Sequence, residues 1–294
     1  MDRLHAMELF VRVVETGSFS AAAAAARIGQ PAVSKTIANL EGELGVRLLV
    51  RTTRGLHPTE AGQIYYERVQ HVVRDADEAR QLARGLGQGL DGRLRVCAPV
   101  TFARLHIVPR VGDFLHANPR LQLDLVMDDR AIDPVSENID VALRLGDMPD
   151  SSLIARRLAT ARRLVVATPA YLARMGQPQV PLDLMAHEAV VYAQTVGGER
   201  WTFSRGGETV EAPVRHRLAC SAAEGVREAV LADLGLAIVS EWMMAPEIAS
   251  GAVVPVLVDW ALPGIDLWAL FPAGRLPTAR ARSFVRWLEE LGLG

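Results

Sequence analysis

Lysine is almost missing from this chain: of 32 basic residues only Lys35 is a lysine, and the rest of the pattern is a compositional preference for arginine. Cysteine is nearly as scarce. Cys97 and Cys220 are too few for a disulfide framework and lack metal-site spacing, and their apolar, strand-like surroundings predict buried thiols rather than a redox sensor. No stretch approaches the roughly 20 apolar residues that span a bilayer, and the amino terminus enters an amphipathic pattern without a signal core. The expectation is a cytoplasmic protein with no membrane partner. Charge of either sign is also lacking in excess: a net −2 over 294 residues excludes a protein that coats nucleic acid along its whole surface. Catalytic signatures are absent too. There is no HExxH, GxSxG or P-loop, and the seven histidines are scattered. Asp128 and Asp129 are adjacent on a strand end and so point apart, as in a solvated turn. These absences predict no enzyme, no catalytic residue, no metal and no cofactor.

What is present begins between Thr16 and Gly62. Gly17 ends a first helix carrying Leu4, Leu9, Phe10, Val13 and Val14, and Ser18 caps a second, alanine-rich helix from Phe19. Arg27 to Gln30 form a turn. Pro31, at a first helical position, opens a third helix that stops at Gly45. Val33, Ile37, Leu40 and Leu44 recur at four, three and four residues as one buried stripe. The opposite face presents Pro31, Ser34, Lys35 and Ala38, with Gln30 at the entrance and Asn39 on the flank. It combines small side chains, a cation for phosphate, and hydroxyl and amide groups able to read base edges. Arg51, Thr52, Thr53, Arg54 and Gly55 follow as a basic hairpin tip suited to lie along phosphates. The order is that of a winged helix-turn-helix. A three-helix bundle that binds no nucleic acid has the same helices.

In register, Phe10, Gly17-Ser18-Phe19, the alanine run, Gln30-Pro31-Ala32, Ser34, Leu40-Glu41, Leu44-Gly45, Arg51, Arg54 and Thr59-Glu60-Ala61-Gly62 resemble the LysR-type transcriptional regulators. The resemblance implies DNA contacts from Ser18, Gln30, Pro31, Ser34, Lys35, Asn39, Arg51, Thr52 and Arg54, with double-stranded DNA and RNA polymerase as partners. Gly29 stands where the family often has serine, Ala26 where it has leucine and Leu49 where it has phenylalanine. None of these departures lies on the proposed reading face.

Thr59 caps a long helix from Glu60, along which Tyr65, Val69, Val72, Ala76, Ala79 and Ala83 recur with steps of four and three, a seam of about three heptads. The seam can dock on its own protein body; the resemblance implies a dimerisation helix and a dimer or tetramer. Gly85, Gly87, Gly89 and Gly92 follow a helix and precede a strand, the wrong order for a phosphate cradle and the right one for a hinge. Strands and helices then alternate to the end, from Leu94–Cys97 through a helix near Ala103–His116 to a last helix from Thr278, the pattern of α/β layers.

The resulting expectation is α/β with an all-α-type winged helix-turn-helix head at 1–59, a linker helix at 60–86, a hinge at 87–92 and an effector domain at 93–294. By resemblance that domain is of the periplasmic-binding-protein type (type II), with one subdomain at about 93–161 plus 266–294 and the other at about 162–265. Thr101 with Phe102, Gly146, Thr168, Gln194, Ser221 and Ser240 lie at strand exits and supply polar groups for a ligand cleft. The resemblance implies a small-molecule effector, anionic or aromatic. Arg104 and Arg144 either neutralise such an anion or form surface salt bridges. A solute-binding protein shares the α/β body but has neither the DNA-reading head nor a missing export signal.

Overall fold

The computed structural model describes residues 2–52, 55–83, 90–130, 132–148, 153–193, 200–272 and 277–293. The chain divides into two compact units, Met1–Gln88 and Gly89–Gly294.

In the first unit α1 (Arg3–Thr16) starts at Asp2, whose carboxylate accepts the His5 amide, and ends at Gly17 with φ 60°. Ser18 caps α2 (Phe19–Ala26), its Oγ accepting the Ala21 amide at 3.3 Å. Arg27, at φ 55°, turns the chain into α3 (Gln30–Leu44), which begins one residue before the expected Pro31 and is preceded by Gly29, a cap without a side chain. Gly45 ends it at φ 71°. Ala6, Leu9, Phe10 and Val13 of α1 close on Ala22 and Ala23 of α2 and on Val33, Ile37 and Leu40 of α3. Leu44 does not complete that stripe: it is 40% exposed, and Leu48, just past the helix end, is buried instead.

Antiparallel β1 (Leu49–Thr52) and β2 (Gly55–Pro58) make the wing, and α4 (Glu60–Ala83) follows. The joint between wing and helix is tight. The Thr59 amide donates to the Leu48 carbonyl at 2.9 Å, the Thr59 hydroxyl to the Arg47 carbonyl at 2.7 Å, and the Gly62 amide to Thr59 Oγ1 at 3.0 Å. A Cβ on Gly62 would stand 1.9 Å from the Leu48 oxygen, so the backbone admits glycine alone.

The second unit opens with β3 (Asp91–Ala98), a short α5 (Val100–Phe102) that runs into a π turn over Ala103–Ile107, α6 (Val111–Ala117), β4 (Arg120–Met127), β5 (Val141–Leu145) and β6 (Ile154–Ala161). The single helix expected over 103–116 is broken because Pro109 has no amide hydrogen to continue it. Next come β7 (Arg163–Ala167), α7 (Pro169–Met175), β8 (Glu188–Tyr192), β9 (Arg200–Arg205), β10 (Glu208–Pro213), β11 (Arg215–Cys220), α8 (Ala223–Leu231), β12 (Ala237–Ser240), α9 (Glu241–Ser250) and β13 (Val254–Val256). Finally β14 (Ile265–Phe271) and α10 (Ala279–Glu290) complete the unit.

Two lobes result. In lobe I a mixed five-stranded sheet has the order β4-β3-β5-β14-β6 and packs its core on α10 through Phe284, Val285 and Leu288. In lobe II an antiparallel sheet of order β12-β7-β13 adjoins the parallel pair β11-β8, and the β9-β10 hairpin adds Trp201 and Phe203 to the core. The chain passes from lobe I to lobe II between Ala161 and Arg163 and returns before Ile265. A Cβ on Gly264 would lie 3.0 Å from Thr160 Cγ2, and Arg163 Nε donates to the Pro263 carbonyl at 2.6 Å, so the two crossing strands run against each other. Trp242, from lobe II, is buried in the core of lobe I and donates its indole N–H to the Leu293 carbonyl at 2.8 Å.

Candidate nucleic-acid face and ligand cleft

The face of α3 opposite its buried stripe is open. Gln30, Pro31, Lys35, Ala38 and Asn39 are exposed and Ser34 is half-buried. Lys35 has no ion pair among the described residues. Ser18 is spent as the cap of α2, its Oγ accepting a backbone amide. Arg51 and Thr52 sit in β1, where Thr52 pairs with Gly55; their side chains, and Thr53 and Arg54 altogether, lie outside the described residues. One residue that sets this geometry was not singled out from sequence. Glu41, on α3, accepts the amides of Leu48 at 2.7 Å and Leu49 at 3.1 Å and so fixes where the wing leaves the helix. Its position in the Leu40-Glu41 pair was visible, but its partners were not, because they lie in a segment without periodicity.

Along α4 the expected seam is divided. Tyr65 packs into the head's core, its ring 5.4 Å from that of Phe10, and Val69 is 3% exposed within the single chain. These two positions therefore pack on their own chain, and an intrachain stripe has the same spacing as a coiled-coil seam. Ile64, which the sequence reading passed over, is 58% exposed and Val72 47% exposed. Ala76 is half-buried and Ala79 exposed; the Ala83 side chain lies outside the described residues, as do the hinge glycines Gly85, Gly87 and Gly89.

Between the two lobes lies a cavity of about 380 Å³. Lobe I lines it with Thr101, Phe102, Asp129, Arg144 and Asp147, and lobe II with Arg163, Tyr192, Arg200, Trp201, Ser240 and Trp242, among others. Of the expected ligand residues, Thr101, Phe102 and Ser240 are in the lining. Thr168 is not. It caps α7, accepting the Tyr171 amide at 3.1 Å and donating to Asp233. The strand-exit rule fails for β7 because its neighbour β12 is antiparallel: Arg163, at the start of β7, pairs with Ser240, at the end of β12, and both line the cavity. The exit of β7 is the far end. Gly146 is also set aside from the cavity, holding Trp268 Nε1 on its carbonyl at 3.0 Å, although its neighbours Leu145 and Asp147 line it. Ser221 is exposed just ahead of α8 and is not a lining residue, and Gln194 lies outside the described residues.

The cations of the cavity differ in what they already hold. Arg163 gives its Nε to Pro263, and burial pulls its pKa below the ordinary arginine value. Arg200 lies 3.4 Å from Glu211. Arg144 keeps a buried Nη2 with no hydrogen-bond partner among the described residues, whereas Arg104, outside the lining, is paired with Glu224 at 2.9 Å. The two arginines left as alternatives by the sequence thus separate. Tyr192 lies near Arg144; burial, aided by the Asp129 charge and opposed by Arg144, pushes its phenol up to about 12, so it stays a neutral donor. The adjacent acids separate as well. Asp128 pairs with Arg130, whose hydrogen bonds hold its carboxyl down at about 2, as expected of a surface turn. Asp129 instead turns inward and accepts the Val100 amide at 2.9 Å and the Ala223 amide at 3.2 Å. Cys97 is buried and burial pushes its thiol up, the reverse of what a redox sensor needs.

A helix-turn-helix with a wing, carried on the same chain as a two-lobed α/β body with a polar-and-aromatic cleft, defines the class of DNA-binding regulators that carry a ligand-sensing domain. Comparison with known proteins agrees. Residues 4–63 match the model of the bacterial regulatory helix-turn-helix protein, lysR family, and residues 87–292 the LysR substrate binding domain. An HTH-type transcriptional regulator of Xanthomonas campestris is 37% identical over 95% of this chain and 83% of its own length. The HTH-type transcriptional regulator PtxR of Pseudomonas aeruginosa is 34% identical over 99% and 95%. The structure of CrgA, a LysR-type transcriptional regulator from Neisseria meningitidis, is 30% identical, covers 98% of both chains and superposes with a TM-score of 0.63. The chain belongs to the LysR family of DNA-binding transcriptional regulators, with the two-subdomain regulatory domain of that family. Among the described residues no helix is long and apolar enough to cross a membrane.

Proposed function

We propose that this regulator acts in the cytoplasm as a homo-oligomer, a dimer or tetramer, on a two-fold-related DNA site, reading base edges with Gln30, Ser34 and Asn39, approaching the groove closely at Pro31, and gripping phosphates with Lys35, Arg51, Thr52 and Arg54. The observation that carries this reading is the division of α3 into an apolar stripe buried at Val33, Ile37 and Leu40 and an open polar face. Ser34→Ala is expected to relax preference at one base pair by about 1–3 kcal/mol, and Arg51→Ala to weaken every sequence alike and lower the salt slope by about one unit. Binding titrations of cognate and scrambled duplexes across a salt series decide it. Unchanged specificity and slope in both variants would reject the face.

The interlobe cavity takes the effector. Its one uncommitted cation among the described residues, Arg144 Nη2, supports an anionic group there, and Tyr192, Trp201, Phe102 and Trp242 support an apolar or aromatic body. Arg144→Gln is expected to abolish the response to anionic effectors while leaving effector-free DNA binding intact, read by operator binding in the presence of a panel of aromatic carboxylates. Contact with RNA polymerase is the step through which the bound regulator acts on transcription.

A further inference from the structure

Beside the cleft, hydrogen-bond donors of both lobes are occupied by the chain's own carboxylates, whereas, among the described residues, Arg144 Nη2 is not. Asp129, at the exit of β4 in lobe I, takes one backbone amide from each lobe, Val100 at 2.9 Å and Ala223 at 3.2 Å. Glu224, at the start of α8 in lobe II, accepts the Thr101 hydroxyl at 2.9 Å and the Arg104 guanidinium at 2.9 Å, both from lobe I. Thr101 is only 3% exposed, so its bond to Glu224 is partly buried, while the Arg104–Glu224 pair lies nearer the surface. Glu224 is held in turn by Arg227 at 3.5 Å, and Arg227 is anchored by Glu247 and Glu228. Close by, His106 meets the Trp242 carbonyl at 2.7 Å and Phe102 meets the Trp242 ring edge-on at 5.8 Å. Two carboxylates from opposite lobes thus each close a hydrogen bond across the lobe junction.

We propose that Asp129 and Glu224 form a built-in latch that holds the lobes together without effector and reserves the Val100, Thr101 and Ala223 donors for the chain's own carboxylates. Resting on the reading of the cleft as the effector site, this makes the pair a determinant of specificity: a ligand carboxylate is refused at that end and is directed to Arg144. A ligand acts on such a domain only through a difference in affinity between its closed and open arrangements. With closure supplied from within, an effector that inserts between the carboxylates and their donors opens the lobes, and one seated on Arg144 alone leaves them closed.

Hydroxyl-radical footprinting of the full-length protein without any ligand tests the latch apart from the effector reading. In an Asp129→Ala, Glu224→Ala double variant, oxidation of Phe102 and Trp242 at the lobe junction is expected to rise on the order of threefold, the scale of a two-state shift after loss of the tying contacts. Phe284 and Phe203, each inside one lobe, are expected to stay at their wild-type rates and report that both lobes remain folded. Should the double variant unfold, Asp129→Asn and Glu224→Gln separately keep the shape and remove the charge, and each is expected to give a smaller rise at the same two residues. Wild-type labelling of Phe102 and Trp242 in the folded variants overturns the latch. It leaves the cleft reading to the Arg144→Gln response, which uses a different residue and a ligand.

Discussion

Two residues of the head, Glu41 and Gly62, hold its geometry rather than DNA. Glu41 serves two adjacent amides at the root of the wing from a largely buried position, so Glu41→Ala leaves two donors unsatisfied. The expected loss is about 2 kcal/mol of head stability, measured by denaturant unfolding, with weaker DNA binding that does not change in sequence preference. At Gly62 the constraint is steric. A methyl group 1.9 Å from the Leu48 oxygen forces backbone to move, so Gly62→Ala is expected to cost about 1–3 kcal/mol even though alanine is the better helix former. A variant as stable as the wild type would show that the joint between β1 and α4 yields freely. Both residues belong to motif positions that could be read in sequence, but the reason for each identity is a contact with Leu48, which a linear pattern does not reveal.

At the scale of the helix, α4 illustrates how one periodicity serves two purposes. Tyr65 and Val69 are consumed inside the chain, while Ile64 and Val72 stand out from it. If the outward side is the one that meets a second copy, Ile64→Asp with Val72→Asp places unpaired charge in the contact and should dissociate the oligomer with the head still folded. Val69→Asp should do the opposite, unfolding the head because the charge is then buried in its own chain. Sedimentation velocity alongside circular dichroism separates the two outcomes, and a double variant that keeps its oligomeric state rejects the outward face. Strand direction, which a linear pattern does not show, explains β7: its exit was read as a cleft position by a rule that holds for parallel strands, and antiparallel pairing with β12 sends Thr168 to the other end of the sheet.

At the scale of the whole effector body, acid should lower stability. Burial holds His106 and His187 below the ordinary histidine value, the Trp242 carbonyl opposing it at His106 and Asp183 opposing it at His187. A histidine whose folded pKa is depressed binds protons more readily once unfolded. The stability it protects is therefore complete above about pH 6.5, the unfolded value, and is lost as pH falls from there toward the folded value. The thermal midpoint is expected to be flat from pH 7 to 8 and to decline below about 6.5. His106→Gln retains a donor for the Trp242 carbonyl and should remove part of that decline, His187 accounting for the remainder. An unaltered pH profile in the variant would mean that His106 titrates as it does in the unfolded chain.

The sequence by itself determined the head, because every signal there is local: caps at Ser18 and Gly45, a stripe at Val33, Ile37 and Leu40, and a turn after Ala26 each follow from residues within a few positions of one another. It also determined that the remainder alternates strand and helix, since burial on one face imposes a period of its own. Only the tertiary structure decided the cleft. The Tyr192, Trp201 and Trp242 rings come from separate elements, and the β9-β10 hairpin that brings Trp201 carries no cue that places it beside Thr101. Asp128 and Asp129 are identical in sequence terms, yet one pairs with Arg130 at the surface and the other ties two lobes. That difference comes from long-range packing, which sets the direction of each side chain and which no spacing along the chain encodes.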